Sequence, residues 1–122
     1  MTRSVSILAA VGAIVALAAP AYAHAMLDRA VPAVGAVVHA APTEIRLEFS
    51  EGVEAVLSRV SLTDEQGKAI PLGPATTAKG DRRILVTPVS GALSPGAYRV
   101  TWRVVSVDSH VTQGDFSFTV RP

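Results

Sequence analysis

The chain has 122 residues, with 11 Lys and Arg against 10 Asp and Glu, so its formal net charge is +1 when histidine is neutral. This near balance, with the cations scattered, excludes a nucleic-acid binder that relies on clustered positive charge to hold phosphate. Cysteine is absent, which excludes disulfides and thiolate ligands, so any metal must be held by nitrogen, oxygen or methionine sulfur.

Residues 1–23 have the pattern of a secretory signal peptide. Arg3 gives a short basic start, an apolar run of Ala, Val, Ile and Leu follows, and Ala21-Tyr22-Ala23 has the small-x-small form of a cleavage site. The apolar run is shorter than the ~20 residues of a transmembrane helix. We therefore predict that cleavage leaves one domain, residues 24–122, which begins with His24 and carries no net charge.

The mature chain has the pattern of an all-β protein. An extended lead-in with one edge strand is predicted up to residue 42, and a loop at Gly73–Gly80. Six further strands are predicted: Glu44–Ser50, Val56–Thr63, Ala69–Leu72, Arg83–Thr87, Ala97–Val105 and Phe116–Arg121. No stretch has sustained helical periodicity. Short strands separated by Gly and Pro turns, at roughly 8–12 residue spacing, favour a β-sandwich.

Strict alternation of apolar and polar residues predicts which side chains form the core. Ile45, Leu47 and Phe49 face inward in the first of the six strands, and the aromatic side chains of the last two strands are also assigned to the core. Met26 is interpreted as a flexible core filler, and His39 as an exposed loop imidazole.

Asp108 and His110 follow the longest predicted strand, and their spacing indicates a metal site. If the backbone stays extended there, residues i and i+2 project to the same side, so that a carboxylate and an imidazole reach one small ion. The alternative is that Asp108 caps a turn and His110 is solvated, because Asp favours turns.

His24 strengthens the metal hypothesis, because a chain-terminal histidine chelates through both its α-amine and its ring. Together with Asp108 and His110 it would supply three nitrogens and one carboxylate oxygen. Cu(II) favours such a nitrogen and oxygen set and heads the divalent affinity order. Zn(II) is the alternative ion, although it prefers a tetrahedral arrangement. An accidental histidine at the cleavage point is the alternative to a designed ligand.

An ordered set of motifs that spans the mature chain resembles the CopC copper-resistance family. The set comprises His24-Ala25-Met26-Leu27, Phe49-Ser50-Glu51, the run Pro95–Ser106, Asp108-Ser109-His110 and Gly114-Asp115-Phe116-Ser117-Phe118. The resemblance implies a small periplasmic Greek-key β-sandwich or barrel, immunoglobulin-like or cupredoxin-like, that binds Cu(II) through His24, Asp108 and His110. Glu51 matches an acidic residue beside the copper site, as a weak ligand or an acceptor that orients an imidazole. A solvated turn carboxylate is the alternative for Glu51.

The resemblance also implies a function. We expect an exported, monomeric, non-enzymatic protein of copper resistance or homeostasis that sequesters copper or delivers it to a CopD-like inner-membrane protein. The region Leu62–Thr77 contains no Met, which predicts a single Cu(II) site and no methionine-rich Cu(I) site. Two alternatives stay open: a histidine-brace copper oxygenase, and a structural or adhesion-type sandwich in which His and Asp are coincidental.

Overall fold

The computed structural model describes residues 25–122, and the regular secondary structure of this part of the chain is almost entirely β-strand. Nine strands, numbered β1 to β9, are Leu27–Val31, Val37–Val38, Glu44–Phe49, Arg59–Thr63, Ala69–Ile70, Thr76–Ala78, Asp81–Pro88, Gly96–Val105 and Val111–Val120. The helical content of the described residues is one 3-10 turn, Ala55–Leu57. No helix between residues 25 and 122 is long and apolar enough to span a bilayer.

The strands form two sheets that pack as a sandwich. One sheet has the order β1-β3-β7-β6, and the other has the order β2-β9-β8-β4-β5. The chain crosses repeatedly from one sheet to the other, as in Greek-key proteins. All pairings are antiparallel except that of β2 with β9. The predicted all-β sandwich is confirmed.

The core follows the alternation predicted from the sequence. Ile45, Leu47 and Phe49 of β3 have no solvent exposure, and the Phe49 ring meets Trp102 of β8 edge-on, with ring centroids 5.2 Å apart. That contact joins the two sheets, since β3 and β8 belong to different ones. Full burial of each such side chain contributes about 1.5–3 kcal/mol. The inward assignment of the aromatic residues in β8 and β9 is also confirmed.

Three predicted strand boundaries are wrong, each for a local reason. The strand assigned to Val56–Thr63 begins only at Arg59, because Ala55–Leu57 turns through a 3-10 hydrogen bond and leaves Val56 exposed. The loop assigned to residues 73–80 contains β6, where Thr76 and its neighbour pair with β7. The last strand begins five residues earlier than predicted, because β9 pairs with β8 along its whole length.

Candidate metal centre

The hairpin loop between β8 and β9 is fixed by its own backbone. The strands pair up to Val105 and Val111, and five residues, Ser106–His110, close the hairpin. The Ser106 amide donates to the His110 carbonyl over 2.8 Å, and the Ser109 amide donates to the Ser106 carbonyl over 2.9 Å. Ser109 has φ of 70°, a left-handed conformation that is uncommon outside glycine. The loop is therefore held as one tight turn.

This turn brings Asp108 and His110 together. The Oδ2 atom of Asp108 lies 3.1 Å from Nδ1 of His110, and the two side chains are 38% and 43% exposed. The prediction that they share a side is confirmed, but the extended backbone expected for it is wrong. The left-handed residue between them, rather than strand geometry, creates the approach. A carboxylate and an imidazole meet here at a partly open surface.

Ser106 holds Asp108 and His110 in place through hydrogen bonds. It is 1% exposed, and its hydroxyl donates a hydrogen bond to Oδ1 of Asp108 and accepts one from the His110 amide over 3.2 Å. The hydrogen bond from Ser106, and then that involving His110, hold the pKa of Asp108 below its ordinary value. Asp108 therefore stays ionised. This role of Ser106 was not predicted from the sequence, although a serine two residues before an aspartate favours local side-chain hydrogen bonds.

The loop Ser106–His110, named the metal-candidate loop from here on, and the strand end beside it are also hydrogen-bonded to the segment that follows β3. The Val107 amide donates to the Gly52 carbonyl over 2.9 Å, and the Glu54 amide donates to the Val105 carbonyl over 2.8 Å. A Cβ atom on Gly52 would lie 3.1 Å from Cγ1 of Val107, so the close approach favours glycine. Glu51 therefore immediately precedes Gly52, whose carbonyl accepts a hydrogen bond from the metal-candidate loop.

Glu51 has an unusual environment for a carboxylate. The residue is half-buried, and its Oε2 atom is buried without a hydrogen-bond partner among residues 25–122. Burying such an oxygen without a donor is costly.

No group of three or more His, Cys, Asp or Glu in the described residues is arranged to hold a metal ion. A complete site therefore needs a donor beyond Asp108 and His110.

His24 and the predicted signal peptide, residues 1–23, lie outside the described residues. The described chain begins at Ala25, which is fully buried and whose carbonyl accepts a hydrogen bond from Oγ1 of Thr112 over 2.8 Å. Thr112 follows His110 by two residues. On the other side, the Met26 amide donates to Oγ of Ser50 over 2.8 Å. The first described residues thus run between the two segments that carry the remaining predicted ligands.

Met26 and His39 are not predicted to bind the metal. Met26 is not a core filler: it is 61% exposed, because Ala25 and not Met26 turns toward the interior. His39 is exposed as predicted, and its Nδ1 atom contacts the Arg121 carbonyl at 2.8 Å. Arg121 follows the far end of β9, about 30 Å along that strand from Val111 at ~3.3 Å per residue. His39 therefore takes no part in the metal-candidate loop.

Comparisons with known proteins identify a family and a shared fold. A family model described as the CopC domain matches residues 27–121. Protein YobA of Escherichia coli (strain K12) is 43% identical over 100 residues, which cover 82% of this chain and 81% of that protein. Copper resistance protein C of Escherichia coli is 33% identical over 116 residues, covering 90% and 91%. The crystal structure of CopC from Methylosinus trichosporium OB3b superposes with a TM-score of 0.76 at 34% identity, covering 81% of this chain and 95% of that one.

Proposed function

Because this chain belongs to the CopC family, we propose that it is an exported copper-binding protein of copper resistance or homeostasis that holds one Cu(II) ion. The observation that carries the proposal is the 3.1 Å approach of Asp108 to His110 on one hydrogen-bonded loop. A carboxylate and an imidazole held together suit Cu(II), which favours nitrogen and oxygen donors.

We propose that His24 completes the ligand set with its α-amine and its ring. Ala25, the residue that follows it in sequence, is hydrogen-bonded through its carbonyl to Thr112, two residues beyond His110. Since consecutive Cα atoms are about 3.8 Å apart, a buried and anchored Ala25 limits how far the preceding residue can lie from this loop. The described residues supply only two converging donors, which agrees with a third donor from the N-terminus.

This ligand set requires that residues 1–23 be removed and that His24 become the first residue. The pattern of these residues, a basic start, an apolar run and Ala21-Tyr22-Ala23, supports cleavage by a signal peptidase and a periplasmic location. A free α-amine has a pKa near ~7.7–8.0, so a metal displaces its proton at modest cost near neutral pH.

The proposed role is binding and transfer without catalysis. A copper oxygenase needs an open coordination position and a surface for its substrate. Asp108 beside His110 supplies a further donor where an oxygenase would keep a position open. We propose that the monomeric protein sequesters copper or passes it to a CopD-like inner-membrane protein.

Titration with CuCl2, followed by electron paramagnetic resonance, tests this function on protein whose first residue is verified as His24 by mass spectrometry. The expected result is one nitrogen-ligated Cu(II) signal that saturates at one ion per chain. His110→Ala is expected to weaken binding and to change the nitrogen hyperfine pattern of this signal, because one imidazole ligand is lost, whereas His39→Ala, the matched control, keeps both as in the wild type. Equal signals from the two variants would remove His110 from the site. A wild-type protein that ignores copper, with an unchanged melting temperature, would favour the structural sandwich.

A further inference from the structure

Two arginines face each other on the outer surface of the five-stranded sheet. Arg59 of β4 and Arg103 of β8 are direct cross-strand partners, and both are exposed. Like charges directly opposite each other destabilise a sheet. Within residues 25–122 neither guanidinium forms an ion pair, whereas the nearby Arg99 is paired with Asp115 at 2.8 Å. Asp115 is a carboxylate on this same face, but it is paired with Arg99 and with neither Arg59 nor Arg103.

The two arginines border an open groove. The groove has a volume of about 570 Å³ and extends across the outer face to Gln113 of β9, and its lining also includes Asp115, the partner of Arg99. We name this feature, bordered by Arg59, Arg103 and Gln113, the arginine groove. Trp102 is also among the lining residues, although its ring packs inward against Phe49.

The arginine groove leads toward the metal-candidate loop on the same face. The Arg103–Gln113 pair is followed, two residues along the ladder, by the Val105–Val111 pair. Side chains two residues apart in a strand share a face, so these valines extend the surface toward the hairpin end. Val111 is 48% exposed, and the Ser106–His110 loop begins immediately beyond the two valines. The arginine groove and a short apolar strip, Val105 and Val111, thus lead toward the metal-candidate loop.

We propose that the arginine groove docks an extended acidic segment of a partner protein, so that copper is exchanged with that partner at the Asp108–His110 loop. Charge complementarity identifies the occupant: carboxylates would supply the counter-charge that Arg59 and Arg103 lack. The apolar strip would then bury the part of the segment nearest the loop. The docking surface stands on the geometry alone, and only the transfer of copper through it rests on the proposed function.

Binding of a hexaglutamate peptide, measured at low salt by isothermal titration calorimetry, tests the docking surface. The expected result is saturable binding that weakens steeply as salt is added, because exposed charge pairs are screened. Arg59→Gln and Arg103→Gln are each expected to weaken binding about tenfold, whereas Arg46→Gln, on the other sheet, leaves it unchanged. Each groove variant should also keep or raise the melting temperature, because it removes a like-charge repulsion.

Several outcomes would overturn the proposal. One is equal peptide binding by all three variants. Another is displacement by inorganic phosphate at the same concentration as the peptide, which would indicate a small-anion site. A third is binding to phosphatidylglycerol vesicles without binding to the peptide, which would indicate a membrane surface. Copper titration of the same samples separates the two claims. A protein that binds copper but not hexaglutamate lacks the docking surface and keeps the proposed function. A protein that binds hexaglutamate but not copper keeps the docking surface and lacks the proposed function.

Discussion

Thr112 holds the start of the described chain against the strand that leaves the metal-candidate loop: its Oγ1 atom donates to the buried Ala25 carbonyl over 2.8 Å. This bond spans 87 residues of sequence and connects the N-terminal segment to the residues just after His110. The proposed copper site depends on it, because the bond fixes where the chain enters the fold.

Replacing Thr112 with Val keeps the shape of the side chain and removes this donor. The Ala25 carbonyl would be left buried without its hydrogen bond, which costs ~1–3 kcal/mol. We expect a fall in melting temperature of roughly 4–8 °C per kcal/mol for a domain of this size. Copper affinity should fall about tenfold, within the range for groups that position ligands. Thr76→Val, at an exposed strand position, is the control, and an unchanged affinity in Thr112→Val would show that this bond does not position the N-terminus.

Replacing Ser106 with Ala removes the hydroxyl that donates to Asp108. Since that bond is the first cause of the lowered pKa of Asp108, we expect the pKa to rise toward the ordinary value near ~3.9. Carbon-detected NMR of the metal-free protein measures the carboxyl titration directly, with Ser117→Ala as the control. An Asp108 titration identical in the two variants would exclude Ser106 as the cause.

The lowered pKa of Asp108 also fixes the sign of the pH dependence of copper binding. A carboxylate whose pKa is depressed makes its full contribution above its unfolded pKa, near ~3.9, and loses it only as pH falls through the lower folded value. Loss of copper above about pH 4 is therefore not expected to come from protonation of Asp108. Asp108→Asn should bind copper more weakly, but above about pH 4 the slope of log affinity against pH should equal that of the wild type, because the slope counts the protons that copper displaces. A slope that differs by a full proton in Asp108→Asn would contradict this assignment.

Glu51→Gln tests the half-buried carboxylate beside the loop. Its Oε2 atom lacks a donor among the described residues, so a neutral side chain should leave the melting temperature of the metal-free protein unchanged or higher. If Glu51 acts on the copper site, affinity should fall about tenfold. Glu54→Gln is the matched control, since Glu54 is already paired with Arg82 at 2.7 Å. Equal copper affinity in both variants would make Glu51 a turn carboxylate.

Gly114→Ala tests the packing that supports β8 and β9. A Cβ atom there would lie 2.6 Å from Cζ2 of Trp102, so the indole must shift. We expect a loss of ~1–3 kcal/mol, the usual cost of overpacking, together with a change in tryptophan fluorescence. Chemical denaturation measures both quantities. A stability equal to wild type would mean that Trp102 moves freely at this position.

The sequence predicted the sandwich because period-two alternation reports which face of a strand is buried. Residues such as Ile45 and Phe49 were placed correctly by that rule. It failed at Val56, where a 3-10 turn interrupts the pattern. Met26, which is assigned to the core for its flexible apolar side chain and not by alternation, faces solvent. Hydrophobicity alone predicts neither exposed side chain, because each residue lies just before a strand, in backbone that does not follow the period-two pattern.

The candidate site was predicted in its residue types but not in its mechanism of assembly. Spacing indicated that Asp108 and His110 share a side, yet the left-handed Ser109 between them is a property of the closed hairpin. The bond from Thr112 to Ala25 joins residues far apart in sequence, so local patterns carry no trace of it. The unmatched Arg59 and Arg103 were scattered cations in the sequence and became neighbours only through strand register.

The most direct test of the account compares the Cu(II) affinity of the protein that begins at His24 with that of a variant carrying one added Gly before it. The added residue removes the α-amine from its position beside the ring and leaves Asp108 and His110 untouched. Affinity, measured by competition with a chelator of known strength, is expected to fall at least ~100-fold, since loss of groups beyond the ligands already costs ~10–100-fold. Equal affinities for the two proteins would contradict the proposed site.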